Sequence, residues 1–378
     1  CSRDWSSDVC SSDLYRTAST AHVELLEDIV YPQYVHMFSE LFNKVKSGMT
    51  YVPHKLAEKV LDPDLMNYLK NNPVGKTAFI LAGGNMHFAG INQRNYPDNG
   101  LNYQYRFLPF TLTQVYAGRT AQLFGNMDLI TTDASACASS LKVLMDVQNL
   151  MWLYGYDRVI VLSVEDGVSN AVLEFFGESK AVLTAKDEAA GAKPSAFDFT
   201  HGGFRVGQGA CLAVFESGAA VYKLGVNPHA EFLGSYSASE ASTNAIGQLE
   251  SGEGYMKAIE GCLYVSKKTA DKVAIVKTHG TGTKSNDLAE GQALRRMLPD
   301  FVATSYKQKI GHTMGTSGLL ETLLLLNHIK SGIIPKIENR SERDTVFLSD
   351  SITPPDGLIL SLAAGMGNIY SAALFKAL

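Results

Sequence analysis

The chain has 378 residues, 46% of them hydrophobic and 19% charged, with a formal net charge of −5. Those values suit a globular protein with a large buried core. They argue against nucleic acid as the main partner, which would ask for a basic surface, and no apolar run reaches the roughly 18 residues of a membrane-spanning helix.

The first fourteen residues, Cys1 to Leu14, are Ser- and Asp-rich and repeat Ser-Ser-Asp. They have no basic stretch followed by an apolar core, so they do not read as a signal peptide. They read as a non-native leader, 1–14, set apart from the fold. Residues 18–70 carry apolar side chains at helical spacing, among them Leu25, Ile29, Leu41 and Val45. Lys76 to Ala82 reads as a buried strand closed by Gly83-Gly84. Residues 85–112, rich in Asn, Tyr, Gly and Pro, read as a loop, and Thr113 to Phe124 as a helix.

Asp128 to Asp133 is a short strand aimed at Cys137. After it, Leu141, Leu144, Met145, Gln148, Met151 and Trp152 trace one helix face that Gly155 ends. Arg158 to Val164 is the next buried strand, and residues 177–195 read as a polar surface excursion. Phe204 to Val214 and Val221 to Tyr236 read as paired strands. A helix over 253–268, a strand at Val273–Thr278 and a helix from Asn286 to Met297 follow. A Leu-rich helix spans Ser317 to Lys330, with Gly332 and Pro335 beyond it, and strands close the chain at Leu358–Leu362 and Tyr370–Phe375. Strands alternating with helices in two similar halves predict α/β layering.

Five cysteines stand at 1, 10, 137, 211 and 262, with no Cys-x-x-Cys pair. Their wide spacing argues against zinc, dithiol and disulfide frameworks and for a reducing, cytoplasmic setting. The histidines show no His-x-x-x-His spacing, so no metal site is read.

Cys137 lies in Thr131-Thr-Asp-Ala-Ser-Ala-Cys-Ala-Ser-Ser-Leu141, between a strand end and a helix start. Taken alone, a cysteine is most often a small buried hydrophobe. At a helix N-terminus, unpaired N–H groups and partial positive charge favour thiolate, the nucleophilic form. His279 opens His279-Gly-Thr-Gly-Thr283 after a strand, a segment that by itself is a glycine-permitted turn. His312 stands in Gly311-His-Thr-Met-Gly-Thr-Ser-Gly318 ahead of the Leu-rich helix, five residues after Lys307. Alone it is as readily a packing histidine as a catalyst.

These motifs, in this order, resemble the β-ketoacyl synthases of the thiolase superfamily, of the Cys-His-His class; the resemblance covers about residues 75–376. Phe197-Asp198 with Gly202-Gly-Phe-Arg-Val-Gly-Gln-Gly209 and Gly365-Met-Gly367 add to it, with Gln208 in place of the family's glutamate and Met366 in place of a phenylalanine. The resemblance implies an α/β, thiolase-like fold: two similar βαβαβαββ-type halves, 15–220 and 221–378, in a five-layer αβαβα sandwich. It also implies an apolar N-terminal strand, which is not read before residue 30 and is expected to be lost here.

The resemblance assigns acyl transfer to Cys137 and enolate stabilisation to His279 and His312. Lys307, Glu290 and Asp287 become supporting residues. Met366 becomes an oxyanion donor and gate, and Thr281 and Thr283 line the phosphopantetheine path. The implied activity is decarboxylative condensation of a malonyl-type thioester with an acyl-enzyme, without cofactor or metal. The implied partners are acyl carrier protein and a second, identical or homologous, subunit; Arg158 to Val164 is the strand edge expected to pair across the dimer. A basic patch drawn from Arg119, Lys284, Arg295 and Arg296 is expected to meet the acidic carrier. Three rivals are weighed. A degradative thiolase would bring a second cysteine near the C-terminus, a Cys-His-Asn enzyme would carry asparagine at 312, and a non-catalytic, chain-length-factor-like partner would lack the nucleophile.

Overall fold

The computed structural model describes residues 63–84, 113–165, 170–179, 181–198, 202–207, 209–240, 248–341 and 346–378. The leader, the helical reading of 18–62 and the loop reading of 85–112 lie outside these residues, as does Gln208.

The chain order runs α1 (Pro63–Asn71), β1 (Thr77–Ala82), α2 (Thr113–Ala121), β2 (Leu129–Asp133), α3 (Ser139–Trp152) and β3 (Arg158–Glu165). It continues through α4 (Asn170–Glu178), α5 (Ala185–Ala189), β4 (Gly209–Glu216), α6 (Gly218–Leu224), β5 (Ala230–Ser239) and α7 (Glu253–Ser266). The rest is β6 (Val273–Lys277), α8 (Lys284–Met297), β7 (Val302–Thr304), α9 (Lys307–Ile310), α10 (Ser317–Lys330), β8 (Leu358–Gly365) and β9 (Ile369–Ala377).

Two sheets form, ordered β2-β1-β3-β4 and β5-β9-β8-β6-β7. β1 runs parallel to β2 and β3, and β4 is antiparallel to β3. In the second sheet β6 is parallel to β7 and β8, while β9 is antiparallel to β8 and β5. Aligning the sheets pairs β1 with β6, β2 with β7, β3 with β8 and β4 with β9.

The strands' alternation builds two cores. In β9, Ala373 and Phe375 face the core shared with the first sheet, while Ala372 and Leu374 face the core beneath α7 and α8. α3 and α10 lie between the sheets, α2 packs on the outer face of the first and α7 on that of the second. α10 is apolar on nearly every side because it is covered on nearly every side.

The two central helices are structural counterparts. Each has 14 residues and follows a three-residue 3-10 turn, 136–138 or 314–316. Each turn opens on a non-glycine residue in the left-handed region, Ala136 at φ 48° and Met314 at φ 49°. Cys137 and Gly315 thus occupy matching places. The helices meet at their starts: Leu319 N–H donates to Ser140 Oγ at 3.0 Å, and a Cβ on Gly318 would stand 2.7 Å from Leu141 Cβ.

Three local expectations are corrected. Val221–Tyr236 is not one strand paired to Phe204–Val214. Ser217 caps α6 by accepting from Ala220 N–H, Gly225 closes the helix at φ 64°, and β4 and β5 join different sheets. Residues 177–195 are not a plain surface excursion, since Val182, Leu183 and Ser195 are buried. The Arg158–Val164 strand is not an edge: β1 covers one side and β4 the other, from Arg158↔Glu216 to Glu165↔Gly209. Among the described residues, the outer strands of that sheet are β2 and β4. Among the described residues, no helix is long and apolar enough to cross a membrane.

Arg158 anchors the strand it begins. Its Nε donates to Glu216 Oε1 at 2.7 Å, and Tyr68 O–H donates to Glu216 Oε2 at 2.7 Å. Both charges are buried, so removing one strands the other. Arg158→Ala is expected to lower unfolding free energy by about 3 kcal/mol, read as a shifted urea midpoint, whereas the paired apolar replacement Arg158→Met with Glu216→Leu should recover most of it.

Candidate active site

β2 delivers the chain to Ser135, and the 136–138 turn places Cys137 just ahead of α3. Small residues make the turn feasible: Gly365, at the end of β8, lies so close that a Cβ there would stand 2.9 Å from Ser135 O and 3.1 Å from Ala138 N. Cys137 is buried in an apolar cluster with Val172, Leu173, Phe176, Val182, Phe204, Val206 and Met314, against which Met366 packs. The sulfur and the Met366 side chain therefore share one apolar cluster.

The thiol is not a resting thiolate. Burial first, and then the nearby Glu165 carboxylate, push its pKa up to about 12, with Lys307 opposing. This balance runs against the thiolate expected at a helix N-terminus. The 3-10 turn separates the sulfur from α3, Ala138 N–H is taken by Ser135 O, and a buried carboxylate stands nearby.

Glu165 has a structural task. One oxygen, Oε2, accepts from Gly84 N–H at 2.5 Å and Gly315 N–H at 3.0 Å, tying the end of β1 to the turn after His312. The contact tolerates only glycine: a Cβ on Gly315 would fall 2.1 Å from Gly84 N.

His279 and His312 meet edge to face, ring centroids 5.5 Å apart, and Phe204 meets His312 the same way at 4.9 Å. Phe204 and Met314 also belong to the Cys137 cluster, so His312 lies against that cluster, and His279 adjoins it through the His312 ring. His312 is fixed from several directions. Its N–H donates to Arg205 O at 2.7 Å and its carbonyl accepts from Gly207 N–H at 2.8 Å. Its Nδ1 accepts from Met314 N–H at 3.2 Å and pairs with Ser317 Oγ at 2.8 Å. A backbone donor on Nδ1 leaves the ring proton on Nε2. His279 Nδ1 is buried with no hydrogen-bond partner among the described residues. Burial and the Lys307 charge push both imidazoles well below the usual histidine range, so both are neutral at pH 7.

The supporting residues divide into two groups. Glu290, on α8, holds the histidine turn, accepting from His279 N–H at 2.5 Å and Gly280 N–H at 2.9 Å. Burial raises its pKa to about 7 despite these donors. Asp287 accepts from Phe197 N–H at 2.7 Å and Gly282 N–H at 3.2 Å, joining that turn to the 195–198 segment. Thr281 and Thr283 face each other at 2.9 Å between hydroxyl oxygens. The second group is ionic: Lys307 is fully buried and donates to Glu321 Oε1 at 2.7 Å, whereas Lys309 is exposed.

Sequence reasoning missed Glu165, Glu321, Ser317 and Lys277. Glu321 had a signal: a lone acid inside Leu319–Leu326 has to be paired if the helix is buried. Lys277 had the same one, as a cation ending an apolar strand. Of the expected basic patch, Lys284, Arg295 and Arg296 are exposed, and Arg295 lies 5.3 Å from the centre of the Phe347 ring. The Arg119 side chain is outside the described set.

Residues 66–220 match the β-ketoacyl synthase N-terminal domain and residues 229–340 its C-terminal domain. The chain is 28% identical over 254 residues to the tetracenomycin polyketide synthase ketoacyl synthase alpha subunit of Streptomyces glaucescens, covering 65% of this chain and 59% of that protein. It is 24% identical over 238 residues to 3-oxoacyl-(acyl-carrier-protein) synthase 2 of Vibrio cholerae serotype O1, covering 62% and 57%. The chain thus spans less than two thirds of the length of these curated relatives.

Among solved structures it is similar to a type II PKS acyl-carrier protein in complex with its ketosynthase bound to the hexaketide. The TM-score is 0.71 at 18% identity, over 86% of this chain and 84% of that one. A β-ketoacyl synthase from Burkholderia phymatum STM815 gives 0.71 at 19% identity, over 80% and 76%. The fold is thiolase-like, an αβαβα layering of two related sheets, and the chain belongs to the β-ketoacyl synthase family of the thiolase superfamily.

Two outcomes follow from the turn and the thiol. Gly315→Ala pushes a methyl group into backbone that cannot yield, so a loss of about 1–3 kcal/mol is expected in thermal or urea unfolding. Because the Cys137 thiol is protonated well past neutrality, its alkylation by iodoacetamide should rise about tenfold per pH unit through pH 9 without a plateau. Peptide-resolved mass spectrometry checks this; a plateau below pH 8 would contradict it.

Proposed function

We propose, from this family membership and from the chain of contacts that links the Cys137 cluster to His312 and His279, that the chain is a β-ketoacyl synthase. In this reading it condenses a malonyl-type thioester with an acyl group held on its own cysteine. The observation that supports the reading is one buried sulfur in an apolar cluster, with the neutral His312 ring against Phe204 of that cluster and the neutral His279 ring against His312. The substrates are acyl and malonyl thioesters of acyl carrier protein, in fatty-acid or polyketide synthesis. A cytoplasmic setting fits the free thiols of Cys137, Cys211 and Cys262.

Acylation needs the Cys137 proton to leave as sulfur attacks the thioester carbonyl. His312 is a poor acceptor, since its Nδ1 takes the Met314 N–H and its Nε2 bears the proton. His279, whose Nδ1 no neighbour fixes, is the acceptor. The neighbouring ammonium groups disfavour an imidazolium there, so the proton passes on to the departing carrier thiolate. Backbone N–H groups of Cys137 and Met366 are assigned to the tetrahedral oxyanion. The carbon–sulfur bond to the carrier breaks and one to Cys137 forms.

In the second half-reaction the malonyl carbon–carbon bond breaks and carbon dioxide leaves with no electrons from that bond. The pair stays as an enolate whose oxygen accepts Nε2–H from both imidazoles. Neutral rings suit this task, because they donate without protonating the carbanion. The carbanion attacks the acyl-Cys137 carbonyl, and the sulfur leaves as thiolate and takes a proton from solvent. Thr281 and Thr283 are assigned to the phosphopantetheine path; the exposed Lys284, Arg295 and Arg296 are assigned to carrier docking.

Intact mass spectrometry tests the reading. Incubation with an acyl carrier thioester should add one acyl mass to the wild type and none to Cys137→Ala. An adduct on Cys211 or Cys262, both more deeply buried, would overturn the assignment; no adduct at all would favour a non-catalytic partner subunit. His312→Ala should still acylate, while condensation falls on the order of a hundredfold, the cost of a lost oxyanion-type donor.

A further inference from the structure

Lys277 ends β6, two residues before His279. Strand alternation turns Val276 toward α7 and α8 but Ile275 and Lys277 toward the helices between the sheets. There Lys277 is fully buried. Its Nζ donates to Leu362 O at 2.6 Å and stands 3.6 Å from Glu321 Oε2. Glu321 gives its other oxygen, Oε1, to Lys307 at 2.7 Å. One carboxylate thus serves two buried ammonium groups, on different oxygens. The second contact is an ion pair without a hydrogen bond.

This arrangement is expensive, because desolvating an ion costs several kcal/mol. Lys307 engages only Oε1 of Glu321; Oε2 is buried without a hydrogen-bond partner among the described residues, and Lys277 is its ionic neighbour. Lys277 also brings a second positive charge to a single carboxylate, more than neutralising Glu321 asks for, and that surplus points to a task beyond pairing. Charged groups act on it from three elements: Glu321 on α10, Lys307 on α9 and Glu290 on α8, with His279 and His312 nearby. Above about pH 7, where Glu290 is ionised, the two ammoniums offset Glu321 and Glu290. Without Lys277 the set beneath the imidazoles is one positive charge short, and an enolate would form over the excess.

Resting on the ketosynthase reading, we propose that Lys277 is a second positioning lysine: it shares Glu321 with Lys307 and supplies the charge that lets the two neutral imidazoles stabilise an enolate. It touches no reacting atom; it acts through the field at His279 and His312. Both rings are held below the usual histidine range by these two lysines as well as by burial. Burial first, and then Lys307, lower Lys277 itself to about 8, with Glu321 opposing. The charge is therefore present below about pH 8 and lost above it. Being more readily protonated when unfolded, this group adds stability as pH rises from about 8 toward 10.5 and costs stability below. A neutral replacement need not destabilise the fold at pH 7.

The test compares wild type with Lys277→Met across pH 6–9.5. Two reactions are followed separately: acylation of Cys137 by intact mass, and carbon dioxide release from a malonyl carrier thioester. Wild-type decarboxylation should decline above about pH 8. Lys277→Met should acylate at near the wild-type rate and melt no lower at pH 7. Its decarboxylation should fall on the order of tenfold, the worth of a one-unit change in an imidazole's proton affinity, and lose the decline above pH 8. Lys277→Arg, with its higher proton affinity, should restore the charge and move the decline upward. Equal decarboxylation by the Met variant at every pH would overturn the proposal, as would a loss that matches a fall in melting temperature and keeps the wild-type profile. Should the Met variant not fold, a wild-type profile flat from pH 7 to 9 would overturn it too. A wild type that neither acylates nor decarboxylates removes the ketosynthase reading itself, which is a different result.

Discussion

The carboxylate of Glu321, buried between two sheets, is the constraint on which the site depends. A charge at that depth must be paired, and the pairing fixes where Lys307 can lie. Lys307 begins α9, which ends at Gly311, and the next residue is His312. The left-handed φ of Gly311, 78°, lets that step turn back toward Phe204 and Val206. Glu321 lies one turn into α10, whose preceding 3-10 turn supplies Met314 N–H to the His312 ring. One ion pair thus holds both ends of the histidine segment.

The duplication of the fold explains why the Cys137 turn lies against the turn after His312. Each half makes a strand, a tight 3-10 turn and a 14-residue helix, and the two helices start against each other. Anything placed in one turn lies next to anything placed in the other. The first turn carries a sulfur. Its counterpart carries Gly315, because Gly83 and Gly84 already fill the space a side chain would need. The symmetry is therefore of backbone and not of chemistry. The same crowding holds Glu165 near the sulfur, where its charge favours thiol over thiolate. In the proposed cycle this cost has a use: a cysteine that ionises only as it reacts is protected from adventitious oxidation.

Much of this layout was legible in the sequence. The strand at Asp128–Asp133, the helix face from Leu141 to Trp152, the Leu-rich helix at Ser317–Lys330 and the closing strands all carry strong periodicity, and they stand within a few residues of their expected bounds. What misled was context. Val221–Tyr236 has strand-like composition, yet Ser217 and Gly225 are a cap and a stop that bracket a short helix. Arg158–Val164 reads as one apolar run whether one neighbour covers it or two, so its central place in the sheet could not be read from composition. Motif order encoded the turns that set His279 against His312 and Met366 against the Cys137 cluster. Glu321, Lys277 and Glu165 were missed because each looks like an interruption in an apolar segment, and only the layers on both sides make it a buried charge.

The buried charges also bear on how the two half-reactions of the proposed cycle can share one site. Acylation asks for a proton acceptor beside the sulfur, whereas decarboxylation asks for two donors that keep their protons. One imidazole cannot satisfy both demands at a fixed tautomer. The structure resolves this by unequal support. His312 is locked as a donor by Met314 N–H and Ser317, and His279 is held through its backbone by Glu290 while its Nδ1 is left unpaired. A ring fixed in place but not in tautomer can accept at one step and donate at the next. The ammonium groups that keep both rings neutral return it to the donating form once the carrier thiol has gone.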